Sequence, residues 1–297
     1  MVHYDRCPLC LPGRLNAKFS CTDHFVSGEK FQVVSCADCG FTFTQDHPGE
    51  KEAGRYYESE EYISHSDTSK GIVNKLYRTA RNFMLKRKVQ LVKKTTGKKT
   101  GKILDIGSGT GYFANAMKLE GWQSEGIEIN EKARNFSKNE FQLDVYDPSE
   151  IHNLKSGTYD CITLWHVLEH FHDRDAYMRE ISRLLSPEGR CVVALPNSSS
   201  FDAEYFREYW AAWDVPRHLW HFRPETFRIY CEKSSFGLIN IKPLPLDVFY
   251  ISMLSEKYKG SKISFLKGII IGIWFFIKTL YNKERSSSLI YTLSKIQ

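Results

Sequence analysis

The chain lacks an apolar run long enough to cross a bilayer. Its longest unbroken one, GIIIGIWFFI at residues 268–277, has ten residues, whereas a spanning helix takes about 20. The first ten residues, MVHYDRCPLC, lack a basic-then-apolar leader, which predicts a cytoplasmic protein. A disulfide framework is also missing. Of eight cysteines, four stand in two CxxC pairs, and Cys21, Cys161, Cys191 and Cys231 are scattered. That is metal spacing in a reducing compartment. Between residues 70 and 102 there is no acid at all among twelve lysines and arginines. With 42% hydrophobic and 26% charged residues, the composition excludes a disordered chain. The 297 residues can hold about two domains.

One glycine is missing where it decides something. Residues 103–113 read ILDIGSGTGYF. Ile103, Leu104, Asp105 and Ile106 form a short buried strand, and Gly107, Gly109 and Gly111 break it. Residues 112–119, YFANAMKL, then have helical apolar spacing. A strand, a glycine turn and a helix hold a polar cofactor group, because glycine lets the backbone approach and the helix start offers free N–H groups. The spacing is GxGxG, and Tyr112 stands where a dinucleotide fold wants its third glycine. Asp105 suits a ligand carrying a positive ammonium and suits a pyrophosphate poorly.

Cys7, Cys10, Cys36 and Cys39 offer four thiolates to one tetrahedral ion. Residues 30–35 (KFQVVS) read as a strand between the pairs, and residues 41–44 as its continuation. Residues 1–50 therefore form a zinc ribbon, closed by a structural ion because the segment holds too few apolar residues to fold alone. Its four basic side chains against six acidic ones give −2, the wrong sign for binding phosphate. Residues 51–102 are an acidic linker (YYESEEY at 56–62) followed by a basic amphipathic helix. That helix is a solvated face packed on the next domain or a contact for an anionic partner.

Residues 103–297 hold the rest of an α/β sheet. Residues 124–129 are the second strand, with Glu128 near its end, placed to accept two hydrogen bonds from a ribose diol. Residues 141–146 are the third strand, with Asp147 in the following turn. Residues 159–165 (YDCITLW) are the fourth, running into HVLEH. Residues 176–185 form a helix, SPEGR at 186–190 a turn, and CVVAL at 191–195 the fifth strand. Residues 238–242 and 289–293 are the last two strands.

The order from Asp105 to Asn197 resembles class I S-adenosylmethionine-dependent methyltransferases. The wording YDCITLWHVLEH, RLLSPEGR and VVALPN resembles the type 23 relatives of the ubiquinone-biosynthesis O-methyltransferases. The resemblance covers about residues 100 to 240. It implies a Rossmann-like seven-stranded sheet whose last hairpin is antiparallel. It also implies S-adenosylmethionine as cofactor: Asp105, Gly107, Ser108, Gly109 and Gly111 at the methionine end, Glu128 at the ribose, Asp147 near the adenine amine, and Trp165 at the adenine or sulfonium side.

His166, Glu169 and His170 stand at i, i+3 and i+4, on one face if a helix begins there. They could hold a divalent ion with His218. Alternatively, His166 is a general base for a substrate hydroxyl, or Glu169 and His170 cap and orient the loop. The ubiquinone-type enzymes carry a metal-binding ExxEH here, and this chain has HxxEH, with His166 in place of the first acid. His166 and His170 are the catalytic candidates.

Residues 201–222 are dense in aromatics around DVPRHLWHF, a stretch that walls the acceptor pocket in the group resembled. Between the last strands sits an apolar helical insert at about residues 255–285, flanked by lysines. It is either a buried helical hairpin or an interfacial segment on anionic membrane. The expected activity is O-methylation of a small or lipid- or glycan-linked acceptor. The rivals are a zinc-ribbon RNA methyltransferase, which the ribbon's charge opposes and the basic stretch favours, and a non-catalytic binding protein on the same fold.

Overall fold

The computed structural model describes residues 1–57 and 72–296. Residues 58–62 of the expected linker, and the side chains of 72–80 on the basic helix, lie outside the described residues. Two sheets organise the chain. A four-stranded sheet has the order β1-β2-β3-β9: β1 (Leu15–Thr22), β2 (Lys30–Cys36), β3 (Thr42–Gln45) and β9 (Trp220–His221). The seven-stranded sheet has the order β10-β11-β8-β7-β4-β5-β6. Its strands are β4 (Lys102–Ile106), β5 (Gln123–Ile127), β6 (Asp144–Tyr146), β7 (Tyr159–Trp165), β8 (Leu185–Pro196), β10 (Phe236–Pro243) and β11 (Ser288–Lys295). From β6 across to β8 the pairing is parallel, while β11 runs antiparallel to both β8 and β10.

The chain leaves β4 towards β5 and β6, then returns to its other side at β7. The crevice between β4 and β7 is thus the strand-order switch where open α/β sheets bind ligands. Helix α2 (Ile72–Thr96), following the short α1 (Glu50–Ala53), lays Val89 and Val92 on one sheet face. There they pack with Ile103, Phe113 and Met117, the last two from α3 (Tyr112–Leu119). Next come α4 (Glu131–Phe141) and α5 (Arg174–Leu184), capped by Asn130 and Asp173, each accepting from the backbone N–H three residues on.

Three local expectations shift. Phe141 ends α4 rather than opening β6, because Gln142 turns left-handed at φ 53° and stops the helix. The turn at 186–190 lies inside β8. Leu185 and Arg190 pair with Tyr159 and Cys161 of β7, so the residues between them form an excursion from an otherwise continuous strand. Strand β1 was not expected: its sequence LNAKFSCT alternates weakly, and its burial is correspondingly mixed.

The ribbon is joined to the large sheet by more than a linker. β9 comes from residues 220–221 yet pairs with β3, Phe43 against Trp220. Cys7, Leu9, Phe41 and Phe43 share one core with β7 and β8. Two arginines clamp the junction. The buried Arg174 guanidinium lies 4.0 Å from the Trp220 ring centroid and donates to the Pro8 carbonyl. Arg217 ties Asp23 (2.9 Å) and the Tyr56 carbonyl (2.9 Å) to Asp214 (2.7 Å).

The insert is a helical hairpin of α8 (Asp247–Tyr258) and α9 (Ser264–Tyr281), after α6 (Phe201–Phe206) and α7 (Pro224–Lys233). By length and composition alone α9 is apolar enough to cross a membrane, against the expectation from the ten-residue run, because helix residues outside that run extend it to 18. Of the aromatic stretch, Phe206, Trp210 and Trp213 are core packed against this hairpin. Trp210 and Trp213 also line a narrow pocket with Cys21, Asp214, Arg217 and Tyr258.

Candidate active site

The glycine loop after β4 is built by contacts only glycine permits. Gly107 has φ 72°, and a Cβ there would lie 2.4 Å from Val167 Cγ2. Gly111 has φ 77° and starts α3 hard against Ser137. Gly107 and Ser108 both donate to the Ile127 carbonyl, which pins the loop to the tip of β5. Ser108 Oγ is buried without a hydrogen-bond partner.

Glu128 follows β5. One carboxylate oxygen accepts from Gly109 N–H at 2.8 Å, and the other accepts from Asn130 N–H at 2.8 Å. The acid thus sits directly on the glycine loop. Asp105 is buried at the end of β4 and accepts from Thr163 Oγ1 of β7 at 2.5 Å. Burial pushes its carboxyl up to about 7, against the pull of Thr163 and Lys88. Trp165 ends β7 edge-on to Phe113 at 5.4 Å, and its buried Nε1 has no partner.

Lys88 of α2 completes this corner. Its ammonium lies 4.1 Å from the Trp165 ring centroid, and burial lowers its pKa while Asp105 and Asp247 oppose that. A cation over an aromatic ring beside a buried acid marks ground suited to a charged ligand. Asp147 behaves differently. It caps its own turn through Ser149 and pairs with Arg134 at 3.1 Å, so both its oxygens are engaged.

The HVLEH segment does not form one helical face. His166 is left-handed at φ 58°, and only Leu168–His170 makes a 3₁₀ turn. His166 is therefore separated from His170. Its Nε2 meets Asp247 at 3.0 Å and its Nδ1 faces Glu169 at 3.5 Å. Burial works against its charge, but the hydrogen bonds and fields of Asp247 and Glu169 win and hold it up to about 9. Both His166 nitrogens are thus turned to carboxylates, which favour its charged form.

Glu169, His170 and His218 do converge. One ligand atom from each lies within 4.8 Å of the others. Burial and the neighbouring His218 lower His170 to about 4. His170 Nδ1 meets the Arg217 carbonyl at 3.1 Å, and His218 Nδ1 meets the Ala212 carbonyl at 2.9 Å. An imidazole whose Nδ1–H is fixed on a carbonyl keeps its Nε2 lone pair for an ion. Glu169 is 1% exposed, and neither of its oxygens makes a hydrogen bond of ordinary geometry.

The four ribbon thiols also converge. Cys7 and Cys39 Sγ are 3.7 Å apart, and Cys10 and Cys36 Sγ are 3.5 Å apart. A tetrahedron with metal–sulfur bonds of 2.3 Å has sulfur–sulfur edges of about 3.8 Å. Backbone N–H groups of Leu9, Cys10, Asp38 and Cys39 point at Cys7 and Cys36 sulfur, as thiolates require. Gly13 leaves the room: a Cβ there would lie 2.3 Å from Cys36 Sγ.

A family described as methyltransferase domain matches residues 76–240. The chain belongs to that family. Similar curated proteins include the demethylmenaquinone methyltransferase of Thermotoga maritima, 27% identical over 119 residues, or 38% of this chain and 52% of that protein. The ubiquinone biosynthesis O-methyltransferase of Escherichia coli K12 is 32% identical over 95 residues, 30% of this chain and 40% of that protein. The chain spans about half or less of the length of these relatives. Among solved structures, a SAM-dependent methyltransferase from Archaeoglobus fulgidus has a TM-score of 0.50 at 20% identity, covering 72% of this chain and 94% of that one. That likeness establishes the fold of this methyltransferase-family chain and nothing finer.

Proposed function

We propose that the chain is a cytoplasmic S-adenosylmethionine-dependent methyltransferase that methylates an oxygen of a small or lipid- or glycan-linked acceptor, with a structural zinc ion in its ribbon. The carrying observation is the pair of carboxylates Asp105 and Glu128, on adjacent strand tips astride a glycine loop at the switch of the sheet. The orphaned Ser108 Oγ and Trp165 Nε1 fit a ligand with further polar groups in the same crevice. The names of the ubiquinone and demethylmenaquinone relatives support a small quinol-like acceptor, and the acidic ribbon does not favour RNA.

When bound, the sulfonium supplies an activated methyl group. The chain's residues do the placing. Asp105 would hold the ammonium of the methionine end and Lys88 its carboxylate. Glu128 would hold the ribose hydroxyls. Trp165 would shield the sulfonium side from water, and transfer would rest on proximity and desolvation. Glu169, His170 and His218 would hold a divalent ion that lowers the pKa of an acceptor hydroxyl. The buried Glu169 carboxylate, facing His166 on one side and converging with His170 and His218 on the other, favours that reading over a loop-capping role.

The test is incubation of the purified protein with methyl-labelled cofactor and a cell extract. Label in a small-molecule or lipid fraction supports the proposal. Label in RNA replaces the acceptor class, and tight cofactor binding without transfer to any fraction refutes catalysis. Glu169→Gln is expected to abolish any dependence of turnover on added Mg²⁺ or Mn²⁺.

A further inference from the structure

The α8–α9 hairpin has one face too many. Gly268, Gly272, Phe275 and Thr279 form the buried stripe of α9, at intervals of four, three and four. The two glycines let α9 approach α8 closely: a Cβ on Gly268 would lie 2.4 Å from Met253 Cα, and one on Gly272 would lie 2.8 Å from Phe249 Cδ1. That stripe satisfies the fold. The opposite side of α9 carries a second apolar stripe, Ile263, Leu266, Ile270, Ile273, Ile277 and Leu280, each 47–60% exposed. Trp274 and Phe265 widen it, and Tyr281 closes its end at 90% exposed. Monomeric soluble domains rarely leave so continuous an apolar surface open.

The charge around the stripe identifies its occupant. Residues 257–283 contain six lysines (Lys257, Lys259, Lys262, Lys267, Lys278 and Lys283) and no aspartate or glutamate. Two of them bend over aromatic rings at the helix ends: Lys259 lies 5.3 Å from Tyr205, and Lys278 lies 4.8 Å from Trp274. An apolar stripe bordered by tryptophan, tyrosine and lysine is how a helix lies in the plane of a membrane interface. Lys267 is answered by Glu256 at 3.4 Å; a protein partner would match the apolar face, but it would not call for the remaining lysines around it.

We propose that α9 is an in-plane anchor that seats the protein reversibly on an anionic lipid bilayer. The glycine-locked packing on α8 keeps the helix on the surface, since crossing would require α9 to leave α8. Docking does not depend on the methyl-transfer reading, but it bears on it. α8 begins at Asp247, which holds His166 of the crevice. Docking through α9 is therefore linked, by way of α8, to a residue that borders the site.

The test is flotation of the full-length, zinc-replete protein with vesicles of phosphatidylcholine, with and without a quarter of phosphatidylglycerol. Binding to the anionic vesicles should exceed binding to neutral ones by about tenfold and should fall with added salt. The double variant Ile273→Asp, Ile277→Asp should float no better than background. Lys262→Glu with Lys278→Glu, which leaves the α8 packing untouched, should lose the preference for anionic lipid. In the wild type, Trp274 fluorescence should shift to the blue on the same vesicles, and Trp274→Phe should remove that shift. Three results would overturn the proposal. One is no flotation on anionic vesicles at low salt. Another is retention in the membrane after alkaline carbonate, which would make α9 a spanning helix. The third is a concentration-dependent dimer that the Asp variant dissolves while neither form binds vesicles, which would show that a second copy covers the face.

Discussion

Cofactor affinity should depend on pH through Asp105. Its buried carboxyl is held up to about 7 in the free protein, so at pH 7 it is half protonated. A ligand that brings an ammonium to it binds the ionised form and drives it towards the ordinary carboxylate range. The sign follows: affinity is full above pH 7 and is lost as pH falls through it. If ionisation is complete in the complex, the dissociation constant at pH 5 is about 50-fold weaker than at pH 7, a difference of about 2.3 kcal/mol. His166 is held at about 9 and His170 at about 4, and the ligand's own amino group, with a pKa of about 8, stays charged. The assay is calorimetric titration with S-adenosylhomocysteine between pH 5 and 7 in buffers of different ionisation enthalpy. About half a proton should leave per ligand at pH 7, and close to one at pH 6. Asp105→Asn should bind about 10- to 150-fold more weakly at pH 7, because a charge-assisted bond is lost, and should show no slope. It should not be less stable at neutral pH, since a carboxyl with a raised pKa opposes folding as it ionises. A wild-type affinity flat from pH 5 to 7, or an unchanged slope in Asp105→Asn, would refute the reasoning.

Lys88→Met should weaken binding about tenfold and move the midpoint of the pH profile upward, since Lys88 pulls the Asp105 pKa down; the same calorimetric series measures both. Gly107→Ala forces a Cβ against Val167 at a positive φ. It should abolish cofactor binding or lower the melting temperature, and adding Val167→Ala should relieve part of that loss. Cys39→Ser should remove the one zinc per chain found by elemental analysis. Because the ribbon shares a core with β7 and β8, it should also lower the melting temperature of the whole protein; a loss of about 4 kcal/mol corresponds to about 8–16 °C. Arg217→Leu leaves Asp23 and Asp214 unpaired, so urea denaturation should show a loss of about 3–5 kcal/mol.

What could be read from the sequence was local. The glycine spacing, the acid at each strand end and the paired CxxC each carry their signal within a few residues, and the structure brings Glu128 onto the glycine loop, Asp105 onto β7 and the four thiols together. What could not be read depends on distant segments meeting. Strand β9 is two residues long and has meaning only beside β3. Lys88 is one of twelve basic residues in its stretch until α2 lays it over Trp165. Asp247 opens α8 with no motif around it, yet it sets the charge of His166. The helical spacing of HVLEH misled because His166 turns left-handed before the 3₁₀ turn starts, and backbone φ leaves no mark on periodicity.

The central claim is that a sulfonium nucleoside lies across the tips of β4, β5 and β7. A crystal structure of the zinc-replete protein with S-adenosylhomocysteine tests it most directly. The account predicts the ligand's ribose on Glu128, its ammonium on Asp105 and its sulfur beside Trp165. A ligand found elsewhere, or an empty crevice at saturating ligand near pH 7.5, would contradict it.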